Sequence, residues 1–207
     1  MYEVYMTKPN LLFPTPVWTT QINNYKKMNE DMYHYIKNIQ NKDNLGINKS
    51  NVKGWHSNDF DLNKSEPQNF IKFIFPYIEQ VMNDMKWEKK KQIAKINNMW
   101  AIINTGGSAN LRHQHGNSTI SGAYYVRAPK DCGDIVFYDP RPAPVFYHPN
   151  LESVNLLNAQ INGVTPKEGG LVLFPSYLDH SVNENLSNEE RIVISFNIRI
   201  NINSNNN

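Results

Sequence analysis

Three histidines of this sequence have the order and spacing of ligands to one metal ion. His113 and His115 are separated by one residue just before a predicted strand, and residues two apart on an extended segment point to the same side. His180 comes much later, after another predicted strand, as a ligand from a different strand would. Three protein ligands on one face of an ion leave its other positions open. We therefore predict that His113, His115 and His180 form a catalytic metal site.

An arginine follows the third histidine in a position suited to bind a carboxylate. Arg191 opens an amphipathic strand, and Ser195 lies on the same face of it four residues later. The planar guanidinium donates two parallel hydrogen bonds to a carboxylate, and a nearby hydroxyl can bind the same group. We predict that Arg191 and Ser195 anchor a dicarboxylate ligand at a distance from the metal.

The elements that position these residues fall into two parts. Helical spacing of apolar residues predicts helices over residues 25–40 and 68–87, with a kink or break at Pro76, and residues 42–65 are predicted as loop. From residue 96 the pattern changes to that of strands, predicted over residues 96–104, 119–126, 135–138, 170–174 and 191–200. The last of these has Ile192, Ile194 and Phe196 on one side and is predicted to be a half-buried strand with one apolar face.

Helices that precede the strands, rather than alternating with them, disfavour a parallel α/β fold. We predict a mainly β fold in which an N-terminal helical layer packs against a jelly-roll-like double sheet. The expected organisation is one domain over residues 1–200, with a helical and loop layer to residue 95, a β core from residue 96, and a disordered tail over residues 201–207.

Bulk properties argue against several classes of protein. A formal net charge of +2 over 207 residues disfavours a nucleic-acid partner, and the lysine-rich stretch 86–95 is expected to be solvated. Cys132 is the only cysteine, so no internal disulfide forms. No apolar stretch has the length of a membrane span or a signal peptide, so we expect a cytoplasmic protein of a bacterium or a virus-infected host, without a membrane partner. A homodimer is possible, although no interface signature is visible.

Six segments together resemble one known family, the 2-oxoglutarate/iron(II)-dependent oxygenases, and within it a group from marine bacteria and their tailed viruses. They span nearly the whole chain in the expected order. The segments are LFPTPVW (12–18), GWHS (54–57), NLRHQHGNSTISGAYYV (110–126), YDPRP (138–142), EGGLVLFPSYLDHSV (168–182) and NEERIVISFN (188–197).

The resemblance implies a distorted double-stranded β-helix of the jelly-roll or cupin-like type that binds Fe(II) and 2-oxoglutarate and uses O2. It implies that 2-oxoglutarate chelates iron through its 1-carboxylate and keto oxygen. Its 5-carboxylate would reach Arg191 and Ser195, with a further hydroxyl contact from Tyr124 or Tyr125. The implied reaction hydroxylates a protein side chain, such as a prolyl residue, or a small metabolite, and releases succinate and CO2.

One position departs from the usual pattern of the superfamily, which has a carboxylate where this sequence has His115. Either His115 is the third metal ligand, or a carboxylate such as Asp139 is the third ligand and His115 only contacts the residues that bind the metal. We favour His115, because its position matches and the group that the chain resembles shares the His-x-His motif.

Other residues of chemical interest are assigned mainly structural roles. His34, His56 and His148 are predicted not to bind metal, although His56 is a candidate for the substrate mouth. Cys132 is expected to be inert, and Asp139 and Arg141 are expected either to brace a loop or to meet the substrate. The proline-rich loop 139–150 is a candidate lid. Aromatic residues that form either a substrate pocket or ordinary packing are Tyr124, Tyr125, Phe137, Phe146 and Tyr147, and those assigned to the core are Trp55 and Trp100.

Two functions of other classes remain open at this point. Three histidines and a water also form a catalytic zinc site, so a zinc hydrolase or lyase on a cupin-like barrel is an alternative, although it has no general need for Arg191 and Ser195. The second alternative is a non-catalytic binding or structural module of a virus particle. The presence of all three histidines together with Arg191 argues against it.

Overall fold

Two antiparallel sheets and two helices make up the fold in the computed structural model, which describes residues 7–141 and 149–202. The helices are α1 (Tyr25–Lys42) and α2 (Ser65–Asp84). The strands are β1 (Trp18–Gln21), β2 (Asn51–Val52), β3 (Trp55–His56), β4 (Gln92–Asn104), β5 (Ala109–His113), β6 (Ile120–Arg127), β7 (Ile135–Tyr138), β8 (Ile161–Val164), β9 (Gly170–Pro175), β10 (His180–Val182) and β11 (Arg191–Ile202).

The larger sheet has the strand order β1-β9-β6-β11-β4-β3, and the smaller sheet has the order β2-β5-β10-β7-β8. Every pairing between neighbouring strands is antiparallel. Neighbours in each sheet are mostly distant in sequence, as in a jelly roll. The predicted mainly β jelly-roll class with N-terminal helices is confirmed.

The two helices cover the outer face of the larger sheet. Ile192, Ile194, Phe196 and Ile198 of β11 are fully buried there, in one cluster with apolar residues of α1 and α2. Gly122 of β6 stands opposite Phe196, and a Cβ at this glycine would lie 2.2 Å from the Phe196 ring, so only glycine leaves room for it. Because these residues of β11 pack under the helices, the opposite face of β11, which carries Val193, is turned toward the smaller sheet.

The inner face of β11 is buried as well. Val193 packs with residues of β6, β7 and β9 in a second cluster between the two sheets, and Arg191 is 1% exposed. The prediction of a half-buried strand was therefore wrong for most of β11, because the smaller sheet and its connections cover the face that carries the polar residues.

Both predicted helices are present. A kink or a break was predicted at Pro76, and there is no break, since α2 runs from Ser65 to Asp84. Pro76 lies on the exposed side of α2. The carbonyl that loses its N–H partner there can bind water instead, which lowers the cost of an internal proline.

Several predicted boundaries need correction. The predicted loop 42–65 contains β2 and β3, and β4 begins at Gln92, four residues before the expected start of the β core. Asn201 and Ile202 belong to β11 rather than to a tail. Short strands such as β5, β8 and β10 were missed because, unlike the equally short β7, they have no run of apolar residues to mark them.

Parts of three predictions lie outside the described residues: most of the candidate lid, His148 with Phe146 and Tyr147, and the end of the asparagine-rich tail. Lys89, Lys90 and Lys91 lie in an exposed turn before β4, as expected. Among the helices that the structure describes, none is both long and apolar enough to cross a membrane.

Candidate metal centre and co-substrate pocket

The three predicted histidines come together in space. His113 ends β5 and stands directly opposite His180, which begins β10, in the smaller sheet. His115 follows β5 by two residues. Each histidine offers one ring nitrogen to a group of atoms that all lie within 4.8 Å of one another. Such a cluster has the size of a single metal coordination sphere, and within residues 7–141 and 149–202 no other group of this kind was found.

Backbone carbonyls orient the two histidines of the smaller sheet. Nδ1 of His113 donates to the carbonyl of Leu111 at 2.7 Å, and Nδ1 of His180 donates to the carbonyl of Leu178 at 2.9 Å. A carbonyl oxygen only accepts, so the proton of each neutral ring is on Nδ1. Nε2 of both rings therefore carries a free lone pair, as a metal ligand requires.

His115 is oriented by side chains of the larger sheet. Its Nδ1 lies 2.7 Å from Oδ1 of Asn197 on β11 and 2.8 Å from Oγ of Ser121 on β6. Asn197 is itself held by Nδ2 donating to Oδ1 of Asn98 at 3.0 Å, and Ser121 also contacts Ser176 at 2.8 Å. This network leaves Nε2 of His115 as the free nitrogen. Sequence analysis missed Asn197, although it lies on the same face of the strand as Arg191 and Ser195.

Burial keeps all three rings neutral at ordinary pH. It lowers the pKa of His113, and it lowers the pKa of His115 to about 4 and that of His180 to about 3, with a further contribution from the neighbouring histidines. Neutral imidazoles are the form that binds a metal ion. The site is therefore ready to accept a cation without first losing protons.

Asp139, the alternative third ligand, is not part of the histidine cluster. It lies just beyond β7 and forms an ion pair with Arg141, whose Nη2 is 2.7 Å from Oδ2 of Asp139. Of the two candidates for third ligand, the structure brings only His115 to the other histidines. The brace formed by Asp139 and Arg141 corresponds to one of the two roles predicted for this pair.

Arg191 is a buried cation, and two of its three guanidinium nitrogens have no hydrogen-bond partner. Its Nη1 donates to the backbone carbonyls of Cys132, Gly133 and Asn183, with distances of 3.0 Å to Gly133 and 3.3 Å to Asn183. Nε and Nη2 are buried without a hydrogen-bond partner. These two atoms form one edge of the guanidinium, the edge that binds a carboxylate with two parallel bonds. A buried guanidinium without an anion is costly, so the site favours an anionic ligand.

The turn that holds Arg191 depends on Gly133. This residue has φ +87, and a Cβ there would lie 2.3 Å from the carbonyl oxygen of Asn183. Only glycine therefore allows the carbonyls of Gly133 and Asn183 to converge on the guanidinium. Burial raises the pKa of the neighbouring Cys132 thiol, in keeping with the expectation that this cysteine is inert. The carbonyls that bind Arg191 belong to the backbone, so no side chain in the sequence indicates them and they were not predicted.

The two tyrosines predicted as alternatives lie on opposite faces of β6. Tyr125 lines the same cavity as Arg191 and Ser195, whereas the hydroxyl of Tyr124 donates to Oδ1 of Asn29 in α1 at 2.6 Å. Tyr124 also packs edge-on against Phe70 of α2. The structure therefore brings Tyr125 and not Tyr124 to the cavity, because successive residues of a strand point to opposite faces.

A cavity of about 970 Å³ joins the histidines to Arg191. One wall is formed by His56 of β3 and Trp100 of β4, whose rings stack at an interplanar angle of 10°. Trp100 also meets the ring of His115 edge-on, with centroids 5.6 Å apart. Trp100 was predicted to be core, and it is buried and also forms part of the cavity wall. His56 lies outside the histidine cluster and lines the cavity, and Trp55 lies in the core.

Comparison with known proteins supports this interpretation of the site. Residues 98–197 match the family model for 2OG-Fe(II) oxygenase, and this stretch contains all three histidines, Arg191 and Ser195. No curated protein matches this sequence.

Several solved structures share the fold at low sequence identity. A prolyl-4-hydroxylase from Pseudomonas putida has a TM-score of 0.62 and 11% identity, covering 89% of this chain and 92% of that one. A viral collagen prolyl hydroxylase from Paramecium Bursaria Chlorella virus-1, in complex with 2-oxoglutarate, has a TM-score of 0.58 and 13% identity, covering 88% and 94%. HygX from Streptomyces hygroscopicus, with nickel and 2-oxoglutarate bound, has a TM-score of 0.61 and 11% identity, covering 89% and 83%.

The family match and the shared fold agree with the chemistry of the donor groups. Three neutral imidazoles fit a divalent transition metal, and the unpaired edge of Arg191 fits a carboxylate of a co-substrate in the same cavity. The match over residues 98–197 and the donor groups of this site together indicate a non-haem iron dioxygenase with Fe(II) and 2-oxoglutarate as cofactors.

Proposed function

We propose that this oxygenase hydroxylates a C–H bond of a protein side chain, such as a prolyl residue, or of a small metabolite, with release of succinate and CO2. The observation that carries this proposal is the joining of the histidine cluster and the unpaired edge of Arg191 by one cavity. Two of the structures similar to this chain are prolyl hydroxylases, which supports a protein substrate.

In this proposal His113, His115 and His180 hold Fe(II) through Nε2. The rings are already oriented by hydrogen bonds from Nδ1, so little conformational freedom is lost when the metal binds. With its cofactors bound, the centre supplies the oxidising chemistry in which O2 converts 2-oxoglutarate to succinate and CO2 and hydroxylates the substrate.

The polypeptide positions the co-substrate and excludes water from it. Nε and Nη2 of Arg191 bind the 5-carboxylate, and Ser195 and Tyr125 line the same part of the cavity. Burial raises the pKa of Tyr125, so its hydroxyl stays protonated and can donate to a carboxylate. The rest of the cavity, which is far larger than 2-oxoglutarate needs, is available to the substrate, with His56 and Trp100 forming its wall.

A zinc hydrolase would use the same three histidines, but it has no role for Arg191. The buried guanidinium edge is an expensive feature to keep without an anionic ligand, and it favours the oxygenase. The same feature argues against a purely structural module.

The proposal is tested by anaerobic titration of the purified protein with Fe(II) and then with 2-oxoglutarate. We expect the weak visible charge-transfer band of a chelated 2-keto acid, and we expect the band to be lost in His180→Ala but kept in His34→Ala. His34 is a matched control, since it lies on the exposed side of α1 beside Glu30.

Two outcomes would contradict the proposal. If iron binds but 2-oxoglutarate produces no band, the co-substrate assignment is wrong. If only zinc binds tightly, the zinc hydrolase replaces the oxygenase as the proposed function. Where the band forms, release of succinate in the presence of candidate peptides and metabolites then identifies the substrate class.

A further inference from the structure

A second buried side chain with an unpaired polar atom stands beside Arg191. Asn104 ends β4 and is the register partner of Arg191 on β11. Side chains directly opposite one another in an antiparallel pair have Cβ atoms about 5 Å apart. Asn104 is 0% exposed, lines the same cavity as Arg191, and has no partner for its Oδ1. An unpaired acceptor and an unpaired cationic edge thus share one end of the cavity.

The other branch of the Asn104 amide, Nδ2, contacts residues on the β3 side of β4. β4 pairs with β11 on one side and with β3 on the other, where Trp55 and His56 stand opposite Ile103 and Ile102. Gly54 directly precedes β3, and a Cβ at Gly54 would lie 3.3 Å from Nδ2 of Asn104. Nδ2 donates to Oδ1 of Asn110 at 3.4 Å. The absence of a side chain at Gly54 gives the amide room on that side.

Asn104 is the first member of a short chain of hydrogen bonds that can run in either direction. Nδ2 of Asn110 donates to Oγ of Ser50 at 3.3 Å. If both amides rotate by 180°, the hydroxyl of Ser50 donates to Asn110, Asn110 donates to Oδ1 of Asn104, and Nδ2 of Asn104 faces the cavity. An amide has nearly the same shape in both orientations, and a hydroxyl can donate or accept, so every bond of the chain is kept.

We propose that Asn104 is a second anchor for the carboxylate that Arg191 binds, and that binding of this carboxylate reverses the hydrogen bonds from Asn104 through Asn110 to Ser50. The reversal turns an orphaned acceptor into a donor to an anion, which removes the cost of a buried unpaired oxygen and adds a charge-assisted bond. The proposal rests on the proposed function, because the ligand is the 5-carboxylate of 2-oxoglutarate.

The first test measures the dissociation constant for 2-oxoglutarate in the Fe(II)-loaded protein without oxygen, by titration of the visible band. We expect the constant to rise about tenfold or more in Asn104→Leu, as for loss of one hydrogen bond to a charged group. Asn104→Asp should bind still more weakly, because its carboxylate repels that of the ligand. The dissociation constant for Fe(II) should not change in either variant.

Asn29→Leu is the matched control. Asn29 is also a buried, hydrogen-bonded asparagine, but it lies on the helix side of the sheet, where Nδ2 donates to the carbonyl of Val126 at 2.8 Å. Its loss should lower stability without changing the dissociation constant for 2-oxoglutarate. An equal effect of Asn29→Leu and Asn104→Leu on this constant would overturn the proposal.

A second measurement uses the unaltered protein and does not depend on whether the variants fold. In the diamagnetic Zn(II)-loaded protein labelled with ¹⁵N-asparagine, 2-oxoglutarate should shift the side-chain amide signals of both Asn104 and Asn110, but not those of Asn29. A shift of Asn104 alone would refute the reversal, and no shift of either would refute the anchor. If the wild-type protein binds metal but shows no affinity for 2-oxoglutarate, the proposed function itself fails and this proposal fails with it.

Discussion

Oδ1 of Asn197 lies 2.7 Å from Nδ1 of His115, and this hydrogen bond joins residues 82 positions apart in the chain. It links the connection after β5 in the smaller sheet to β11 in the larger one. Through this contact the larger sheet determines which nitrogen of His115 is free to bind metal. His115 stands where a carboxylate is usual, and its hydrogen bond to Asn197 leaves Nε2 directed to the other two histidines.

We expect Asn197→Leu to weaken metal binding by about 10- to 100-fold, a typical effect of removing a partner that orients a metal-bound histidine. The loss follows because the remaining partner of Nδ1, the hydroxyl of Ser121, can donate as well as accept and so does not fix the tautomer of His115. Competition with a chelator for Zn(II) measures the affinity. Asn197→Asp should restore most of it, since a carboxylate also accepts from Nδ1, and an affinity of Asn197→Leu equal to that of the wild type would contradict this role.

Arg191→Lys should weaken binding of 2-oxoglutarate by about tenfold or more while leaving the affinity for Fe(II) unchanged. A lysine keeps the charge, but it lacks the planar edge that donates two parallel bonds. Titration of the visible band measures the effect. Arg199→Lys is the control, since Arg199 lies on the same strand but is exposed and donates to the carbonyl of Asn117. If both variants bind 2-oxoglutarate equally well, Arg191 is not the anchor.

Tyr124→Phe and Tyr125→Phe remove one hydroxyl each from adjacent residues on opposite faces of β6. Tyr125→Phe should raise the dissociation constant for 2-oxoglutarate several-fold, with little loss of stability. Tyr124→Phe should leave that constant unchanged but lower the free energy of unfolding by about 1–3 kcal/mol, because Oδ1 of Asn29 loses its donor in a buried site. Calorimetry and urea denaturation give the two quantities, and the reverse pattern would show that the faces have been assigned wrongly.

Gly133→Ala should impair both stability and co-substrate binding. The substituted residue would have a φ of +87 and a Cβ 2.3 Å from the carbonyl oxygen of Asn183, which is one of the partners of Arg191. We expect a loss of about 1–3 kcal/mol in unfolding free energy and weaker binding of 2-oxoglutarate. Gly116→Ala should be nearly neutral for stability, since a Cβ at that residue would have no heavy atom within 4 Å beyond its chain neighbours. Comparable melting temperatures for the two variants would contradict the argument.

Local periodicity and residue type were enough to predict the features that lie within short segments of the chain. The apolar spacing of α1 and α2, the alternation along β11 and the His-x-His motif are all properties of short segments, and each predicted an element or a candidate ligand. The order of the three histidines and the place of Arg191 on an amphipathic strand predicted the other site residues, and the likeness to a known family then assigned Fe(II) and 2-oxoglutarate to them.

Which face of each strand lines the cavity depends on how the sheets and helices pack together. Tyr124 and Tyr125 are equivalent by type, and packing of the helices against one side of β6 assigned the first to the core and the second to the pocket. Because the helices cover the outer face of the larger sheet, Trp100 lies on its inner face and lines the cavity. Asn197 lies on the same inner face, where its Oδ1 contacts Nδ1 of His115. These roles depend on contacts between strands far apart in the chain, whose pairing is fixed by burial of both sheets and leaves little trace in any one segment.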